Sequence, residues 1–224
     1  MTALERMVVV VPARDEETTI AAAVTSVLLS AGRLGIPVDL VVVADLCRDA
    51  TAETAVAAGA HVIRSRAGNV GAARAAGVDE ALAGRSAREL RSTWIACTDA
   101  DSVVPGQWLP HHRRAGDAGI DLLLGTVRLA GPATLHTEWR RRYAAGTCAA
   151  GHRHVHGANL GVRASTYRAA GGFPSRPAHE DREFVDRVRA LPGANVLSST
   201  AHPVLTSDRL LGRTPAGVAH DLSA

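Results

Sequence analysis

Residues 7–11 are apolar without interruption and mostly β-branched, and a run with no polar face fits a strand buried on both sides of a parallel sheet. Ile20, Val24, Val27, Leu28 and Ala31 then recur at helical spacing, and Gly32 stops them. The same alternation continues. Strands are predicted at 38–43, 61–64 and 94–98, separated by a short helix at 51–58, closed by Gly59, and an alanine-rich helix at 71–82. This β-α-β-α-β-α-β series implies a parallel sheet with right-handed crossovers.

Beyond residue 105 the alternation loosens. The pattern predicts a helix over 106–118, a strand over 122–127, an arginine-rich helix over 138–148, a Gly/His segment, and helices at 165–170 and 181–189. No repeat, low-complexity tract or long linker interrupts the 224 residues, so one domain spanning 1–224 is expected, its two halves sharing one sheet. Ligands of open α/β sheets bind outside the carboxyl ends of the strands, which is where chemistry is to be sought.

Composition narrows the chemistry. The 25 basic side chains are all arginine, which excludes a phosphate-binding P-loop and Schiff-base catalysis and argues against a kinase. Seven aromatic residues make the core one of Ala, Val and Leu. A net charge of +3, with acids interspersed among bases, describes a mixed solvated surface, so no nucleic-acid partner is expected. Cys47, Cys97 and Cys148 are odd in number and lack a C-x-x-C pair, which speaks against disulfides or a zinc ribbon and suits the cytoplasm. No apolar run reaches the roughly 18 residues of a membrane span, which leaves only peripheral membrane contact open.

At the strand ends, Pro12-Ala13-Arg14-Asp15-Glu16-Glu17 is acidic where a dinucleotide fold would carry its glycines. Asp15 reads as a helix cap, compatible with a contact to base or ribose. Asp45 reads equally as a turn former or as a ligand of base or ribose. Asp49 or Thr51 is expected to cap the next helix. Gly68, Gly71 and Gly77 form a loose pattern flanked by Arg66 and Arg74, either of which can meet a phosphate or stand in solvent. The strongest local signal is Asp99-Ala100-Asp101. In extended chain residues i and i+2 point the same way about 6.6–6.8 Å apart, so two carboxylates can converge on one Mg²⁺ or Mn²⁺.

These segments together resemble the family 2 glycosyltransferases. Residues 12–16 are similar to that family's P-x-x-N-E, with Asp15 in place of Asn; 42–51 to its V-V-D-D-x-S-x-D-x-T; 68–76 to its N-x-G-x-A-x-A-R-N. Asp99-Ala100-Asp101 falls at its D-x-D, residues 157–163 and 171–173 at its G-A-N-x-A-x-R and G-G-F, and Glu180-Asp181 at its E-D. The resemblance implies a GT-A-type, Rossmann-like three-layer α/β/α sandwich with a mostly parallel central sheet, a nucleotide-binding half at 1–104 and an acceptor-binding half at 105–224. It implies an inverting, metal-dependent transfer of one sugar from a nucleoside-diphosphate sugar to a hydroxyl of a small-molecule, lipid or glycan acceptor.

It also implies roles. Pro12, Ala13, Arg14, Glu16, Asp45, Gly71, Arg74, Asp99, Ala100 and Asp101 would bind the donor, Asp101 and Asp99 the metal, and His156, Gly157 and Asn159 the acceptor. Asp181 would be the general base, with Glu180 orienting the acceptor or tuning its neighbour. Ala44 replaces the first Asp of the family's D-D pair, and the Q-x-x-R-W of processive members is absent, in keeping with single transfer. With no lysine, the leaving diphosphate must be met by metal and arginine, Arg209 or Arg213. His152, His154 and His156 alternate and would share a face, as a polar rim, an acceptor contact or a metal ligand; His202 and His220 are further candidate ligands. Arg140, Arg141 and Arg142 beside Trp139 and Tyr143 read as a solvated helix face or a contact for an anionic acceptor or lipid. A sugar-phosphate nucleotidyltransferase and a non-catalytic nucleotide-sugar-binding protein are the competing readings.

Overall fold

The structure, a computed structural model, describes residues 2–148, 151–210 and 222. Arg213 and His220 lie outside the described residues. The first half alternates as its pattern predicts: β1 (Arg6–Ala13), α1 (Ile20–Ala31), β2 (Val38–Asp45), α2 (Thr51–Ala57), β3 (His61–Ser65), α3 (Val70–Leu82), α4 (Ala87–Ser92) and β4 (Thr93–Cys97). Then follow β5 (Ser102–Val103), α5 (Trp108–Asp117), β6 (Leu122–Leu129), α6 (Thr137–Ala145), the hairpin β7 (Thr147–Cys148) and β8 (Gly151–His152), β9 (Leu160–Arg163), α7 (Ala164–Ala169), α8 (Glu180–Arg189) and β10 (Val196–Thr206).

Eight strands form one sheet in the order β3-β2-β1-β4-β9-β6-β10-β5. Only β9 and β5 run against the rest. In β1 the alternation decides the layers. Val9 and Val11 join a cluster with Ile20, Val24, Val27, Trp94 and Trp108, while Val8 and Val10 join one with Val78, Leu82, Tyr167, Phe184 and Val188. Successive side chains point to opposite faces of a strand, so a run apolar at every position serves two cores. The result is an α/β/α sandwich, with α1, α2 and α5 on one face and α3, α7 and α8 on the other.

Helix α3 approaches the sheet closely because Gly77 carries no side chain: a Cβ there would stand 2.6 Å from Val10 Cγ1 and 2.8 Å from Val43 Cγ2. Gly71, in the same helix, leaves room for the Pro174 carbonyl and Glu180 Cβ.

The helix expected over 138–148 ends at Ala145. Gly146 takes the cap, its N–H donating to the Arg142 and Tyr143 carbonyls, and the chain turns into the β7–β8 hairpin. Strand β4 stops at Cys97, one residue early, and Asp99-Ala100-Asp101 is a turn, closed by the Ser102 amide donating to the Asp99 carbonyl (3.1 Å). The two carboxylates are therefore not aligned by an extended strand. Among the described residues no helix is long and apolar enough to cross a membrane.

Candidate active site

The loops that leave β1, β2 and β4 meet at the carboxyl edge of the sheet, and hydrogen bonds from backbone amides to side chains lock the first two together. Thr51 Oγ1 accepts from the buried Glu16 amide (2.8 Å), Asp15 Oδ1 accepts from the Arg48 amide (2.8 Å), and Asp49 Oδ2 accepts from the Glu17 amide (3.1 Å). Asp15 thus does not cap α1, whose N-cap is Thr19; it crosses to the next loop instead. Asp49 does serve the start of α2, accepting from the Thr51 amide (3.0 Å). Asp15, with φ 52°, and Leu46, with φ 55°, hold left-handed backbone conformations at the two loops. Such non-glycine conformations persist where their surroundings over-determine them.

Asp45 is buried at the end of β2, and its Oδ1 accepts from the Gly68 amide (3.2 Å), which ties the β3–α3 loop to the site. Pro12 and Ala13 are buried at the end of β1, Ala100 is buried in the β4 turn, and Arg14 is exposed.

Arg74 is the hub of the edge. It lies 3% exposed under Gly157, donates through Nη2 to Asp99 Oδ1 (2.6 Å) and pairs through Nη1 with Glu180 Oε1. Burial works against its charge, but Asp99 and Glu180 outweigh it and its pKa is raised. Burial likewise raises the Glu180 pKa, against the pull of Arg74. Two expectations change here. Arg74 is engaged by carboxylates rather than presented to a phosphate, and Glu180 faces inward onto Arg74 rather than outward to an acceptor. The physical reason is pairing: a guanidinium removed from water needs carboxylates around it. Gly71 serves packing beside this pair, as the crowding at its Cβ position shows.

Asp181, one residue on, is half-buried at the start of α8. Its Oδ2 accepts from the Gly157 amide (2.9 Å) and its Oδ1 from its neighbour Arg182's amide (2.8 Å). His179, at φ 59°, sets the entry into the helix.

Asp101 meets Arg209, which comes from just past the end of β10. Arg209 Nη2 lies 3.1 Å from Asp101 Oδ2 and 2.6 Å from Glu16 Oε1, so one guanidinium spans the β1 and β4 loops. Burial, and next the charge of Asp99, push the Asp101 carboxyl up to about 6, with Arg209 acting in the opposite direction. Glu16, Asp99, Asp101 and Glu180 thus share two guanidinium groups, those of Arg74 and Arg209. Carboxylate oxygens are the donors that Mg²⁺ or Mn²⁺ takes, but no three of these four side chains bring ligand atoms within 4.8 Å of one another.

A second acidic group, Asp15, Cys47 and Asp49, brings its ligand atoms within 4.8 Å of one another. Its carboxylates accept the loop hydrogen bonds described above, and burial raises the Cys47 pKa, keeping it a thiol. The same side chains therefore tie the β1 and β2 loops together.

On the acceptor side, Gly157 is buried against Arg74 and Asn159 is fully engaged within the core. Asn159 Oδ1 accepts from Trp108 Nε1 (2.8 Å) and its Nδ2 donates to the Thr126 carbonyl (2.8 Å), so its side chain holds β6 to α5 and is not offered to an acceptor. His202 packs its ring against His111 at 5.2 Å. His152, His154 and His156 do share a face, as part of a stack described below.

The sequence pattern of glycosyl transferase family 2 matches residues 8–178, most of the chain. The chain belongs to that family. Among solved structures, it is similar to TarS 1–349 of S. aureus in complex with UDP-GlcNAc, with a TM-score of 0.67 and 15% identity over 95% of this chain and 61% of that one. It is also similar to the mannosyltransferase PcManGT from Pyrobaculum calidifontis in complex with GDP-Man and Mn²⁺ (TM-score 0.63, 14% identity, 95% of this chain and 59% of that one). A third is glucosyl-3-phosphoglycerate synthase from Mycobacterium tuberculosis in complex with Mn²⁺, UDP and phosphoglyceric acid (0.60, 19%, 98% and 76%). The chain spans about 60% of the length of the TarS fragment. No curated protein matches it in sequence. These likenesses show the GT-A fold, which agrees with the layers and strand order above.

Proposed function

We propose that this domain transfers one sugar, with inversion, from a nucleoside-diphosphate sugar to an acceptor hydroxyl, with Asp99 and Asp101 holding Mg²⁺ or Mn²⁺. The observation that carries the reading is the Arg74 junction, which draws Asp99 of the β4 turn and Glu180 of α8 onto one buried guanidinium and so brings Asp181 to the same edge as the D-x-D turn. The family match and the nucleotide- and Mn²⁺-bound neighbours support it. Residues 1–104 form the donor half and 105–224 the acceptor half of one domain.

In this reading Pro12, Ala13, Arg14, Glu16 and Asp45 line the nucleoside site at the ends of β1 and β2. A bound divalent ion stabilises charge developing on the leaving diphosphate. Arg209 supplies a planar donor fork at the same place, in a chain that has no lysine to do so. Asp181, oriented by the Gly157 and Arg182 amides, takes the proton of the acceptor hydroxyl as that oxygen attacks the anomeric carbon and the bond to the diphosphate breaks. Glu180 positions Asp181 through Arg74.

The test is turnover of a panel of UDP- and GDP-sugars with Mn²⁺. Asp101→Ala should abolish metal-dependent turnover while leaving the thermal unfolding profile cooperative. Full activity in that variant, or undiminished wild-type activity in EDTA, overturns the metal assignment.

A further inference from the structure

A cavity of about 510 Å³ lies between α6, the 153–156 segment and α8. His156 and Arg182, both in its wall, directly adjoin Gly157 and Asp181, which are themselves hydrogen-bonded (2.9 Å). Two of its wall residues are thus chain neighbours of the pair that holds the Asp181 carboxylate.

Its charge is one-sided. Arg142, Arg153, Arg182 and Arg189 line it against a single acid, Asp186, which already faces Arg189 at 3.5 Å. Among the described residues, Arg153 and Arg182 have no side-chain hydrogen bond or ion pair. One wall is a ladder of rings: Trp139 stacks on Tyr143 at 4.6 Å, Tyr143 on His154 at 3.8 Å, and His156 follows His154 at 6.0 Å. The last rung is chemically incomplete. His156 lines the cavity, and its Nε2, buried, has no hydrogen-bond partner. Buried polar atoms are ordinarily paired, and in the wall of a cavity the missing partner can be a ligand group.

Resting on the glycosyltransferase reading, we propose that the acceptor is anionic: a hydroxyl compound bearing a phosphate or carboxylate, whose charged group is held by Arg153 and Arg182 while His156 Nε2 hydrogen-bonds the acceptor's polar body next to Asp181. The histidines contribute no charge of their own. Burial, and then the neighbouring His154, His152 and Arg182, hold His156 down to about 3, and burial also lowers His154. The attraction is thus arginine's, whose planar fork suits phosphate and carboxylate oxygens. A free metabolite and a lipid headgroup are the two sources of such a charged group; the shared chemistry is the anion.

Two measurements separate this inference from the reading beneath it. Donor hydrolysis with Mn²⁺ and no acceptor tests the glycosyltransferase reading alone. Acceptor chemistry is read by binding: inorganic phosphate against chloride at equal ionic strength, followed by thermal unfolding and Trp139 fluorescence, and cosedimentation with phosphatidylcholine vesicles with and without phosphatidylglycerol. Wild type should be stabilised by phosphate at millimolar concentration, and Arg153→Ala/Arg182→Ala should weaken that affinity at least tenfold. The Arg153→Lys/Arg182→Lys variant, which keeps the charge, should recover part of it and guards against misfolding. Glycerol 3-phosphate should stimulate sugar release from the donor at least tenfold more than glycerol. Vesicle binding that requires phosphatidylglycerol and is lost in the Ala pair, with no response to free phosphate, would assign the anion to a headgroup. Equal response to glycerol and glycerol 3-phosphate, with phosphate and vesicle binding unchanged in the Ala pair, overturns the inference even where donor hydrolysis is present.

Discussion

At the scale of single residues, the fold stores polar groups in its interior and spends their hydrogen bonds on joining elements. His112 is the clearest case. It is fully buried between two indoles, Nδ1 accepts from Trp94 Nε1 (3.1 Å), its ring meets Trp108 edge-on at 4.7 Å, and burial holds its pKa down to about 3. Unfolded, the same imidazole titrates near 6.5. Between these values the unfolded chain binds a proton that the folded chain refuses, so stability falls as pH drops from 6.5, by about 1.4 kcal/mol per pH unit for each such group. The buried carboxyl of Asp101, raised to about 6, acts with the opposite sign: the folded state takes up its proton first, and stability rises as pH falls from 6 toward 3.8. The loss from His112 is joined by that from His156, so urea unfolding between pH 6.5 and 4 should show net destabilisation on acidification. His112→Asn, whose Oδ1 can accept from Trp94, should flatten that slope; a slope unchanged in this variant counts against His112 as a source. Sequence alone shows a His-His pair in a helix and not the depth of one of them. For the same reason Asn159 reads from its motif as an acceptor ligand although its amide is consumed by Trp108 and Thr126. Burial is a property of distant partners, and neither residue's local pattern contains it.

At the scale of elements, the parallel strands and crossover helices of the first half were legible because uninterrupted valine runs and glycine stops have few other physical solutions. Helix α4 carried a readable signal that went unused: Ser86-Ala87-Arg88-Glu89 forms a capping box, with Ser86 and Glu89 each bonding the other's backbone amide. Strand β10 had no such signal. Its eleven residues include Pro203 and a run of small polar side chains, and it is held by pairing to β6 with a register shift between Ser199 and Val204. A strand defined by its neighbours rather than its own pattern is what propensity reasoning misses. Helix α3 shows the reverse, a sequence feature whose role is structural. Its glycines form only a loose pattern in the sequence, and Gly77 is where the helix touches Val10 and Val43. Gly77→Ala would gain helix propensity worth about 1 kcal/mol in an exposed helix, but it must drive a methyl into two valine side chains. Overpacking of this kind costs about 1–3 kcal/mol. Because α3 also carries Arg74, net destabilisation by denaturant titration should come with weakened donor turnover. An unchanged or raised midpoint would show that the helix can lift without cost.

At the scale of the whole molecule, the proposed donor and acceptor halves are not separate in structure. Strand β9, from the second half, lies between β4 and β6 and pairs with both, while β5, from the end of the first half, closes the far edge on β10. One core cluster likewise contains Leu4, Met7 and Val24 together with Trp108, Leu109 and Val204. Neither half can therefore leave without stripping pairing and apolar cover from the other. Arg209 adds a polar tie, from beyond β10 back to Glu16 beside β1, so both chain halves close over the D-x-D turn. Cooperativity follows from this interleaving: urea unfolding followed by far-UV circular dichroism and by indole fluorescence, to which the core residues Trp94 and Trp108 contribute, should give coincident midpoints. A fragment ending at residue 104 would leave β4 without β9, one sheet face without α5 and the other without α7 and α8, and should show no cooperative transition. Two resolved transitions in the full chain, or a fragment that unfolds cooperatively, would mean that the donor half is a folding unit and that the site is assembled by docking rather than by a single fold.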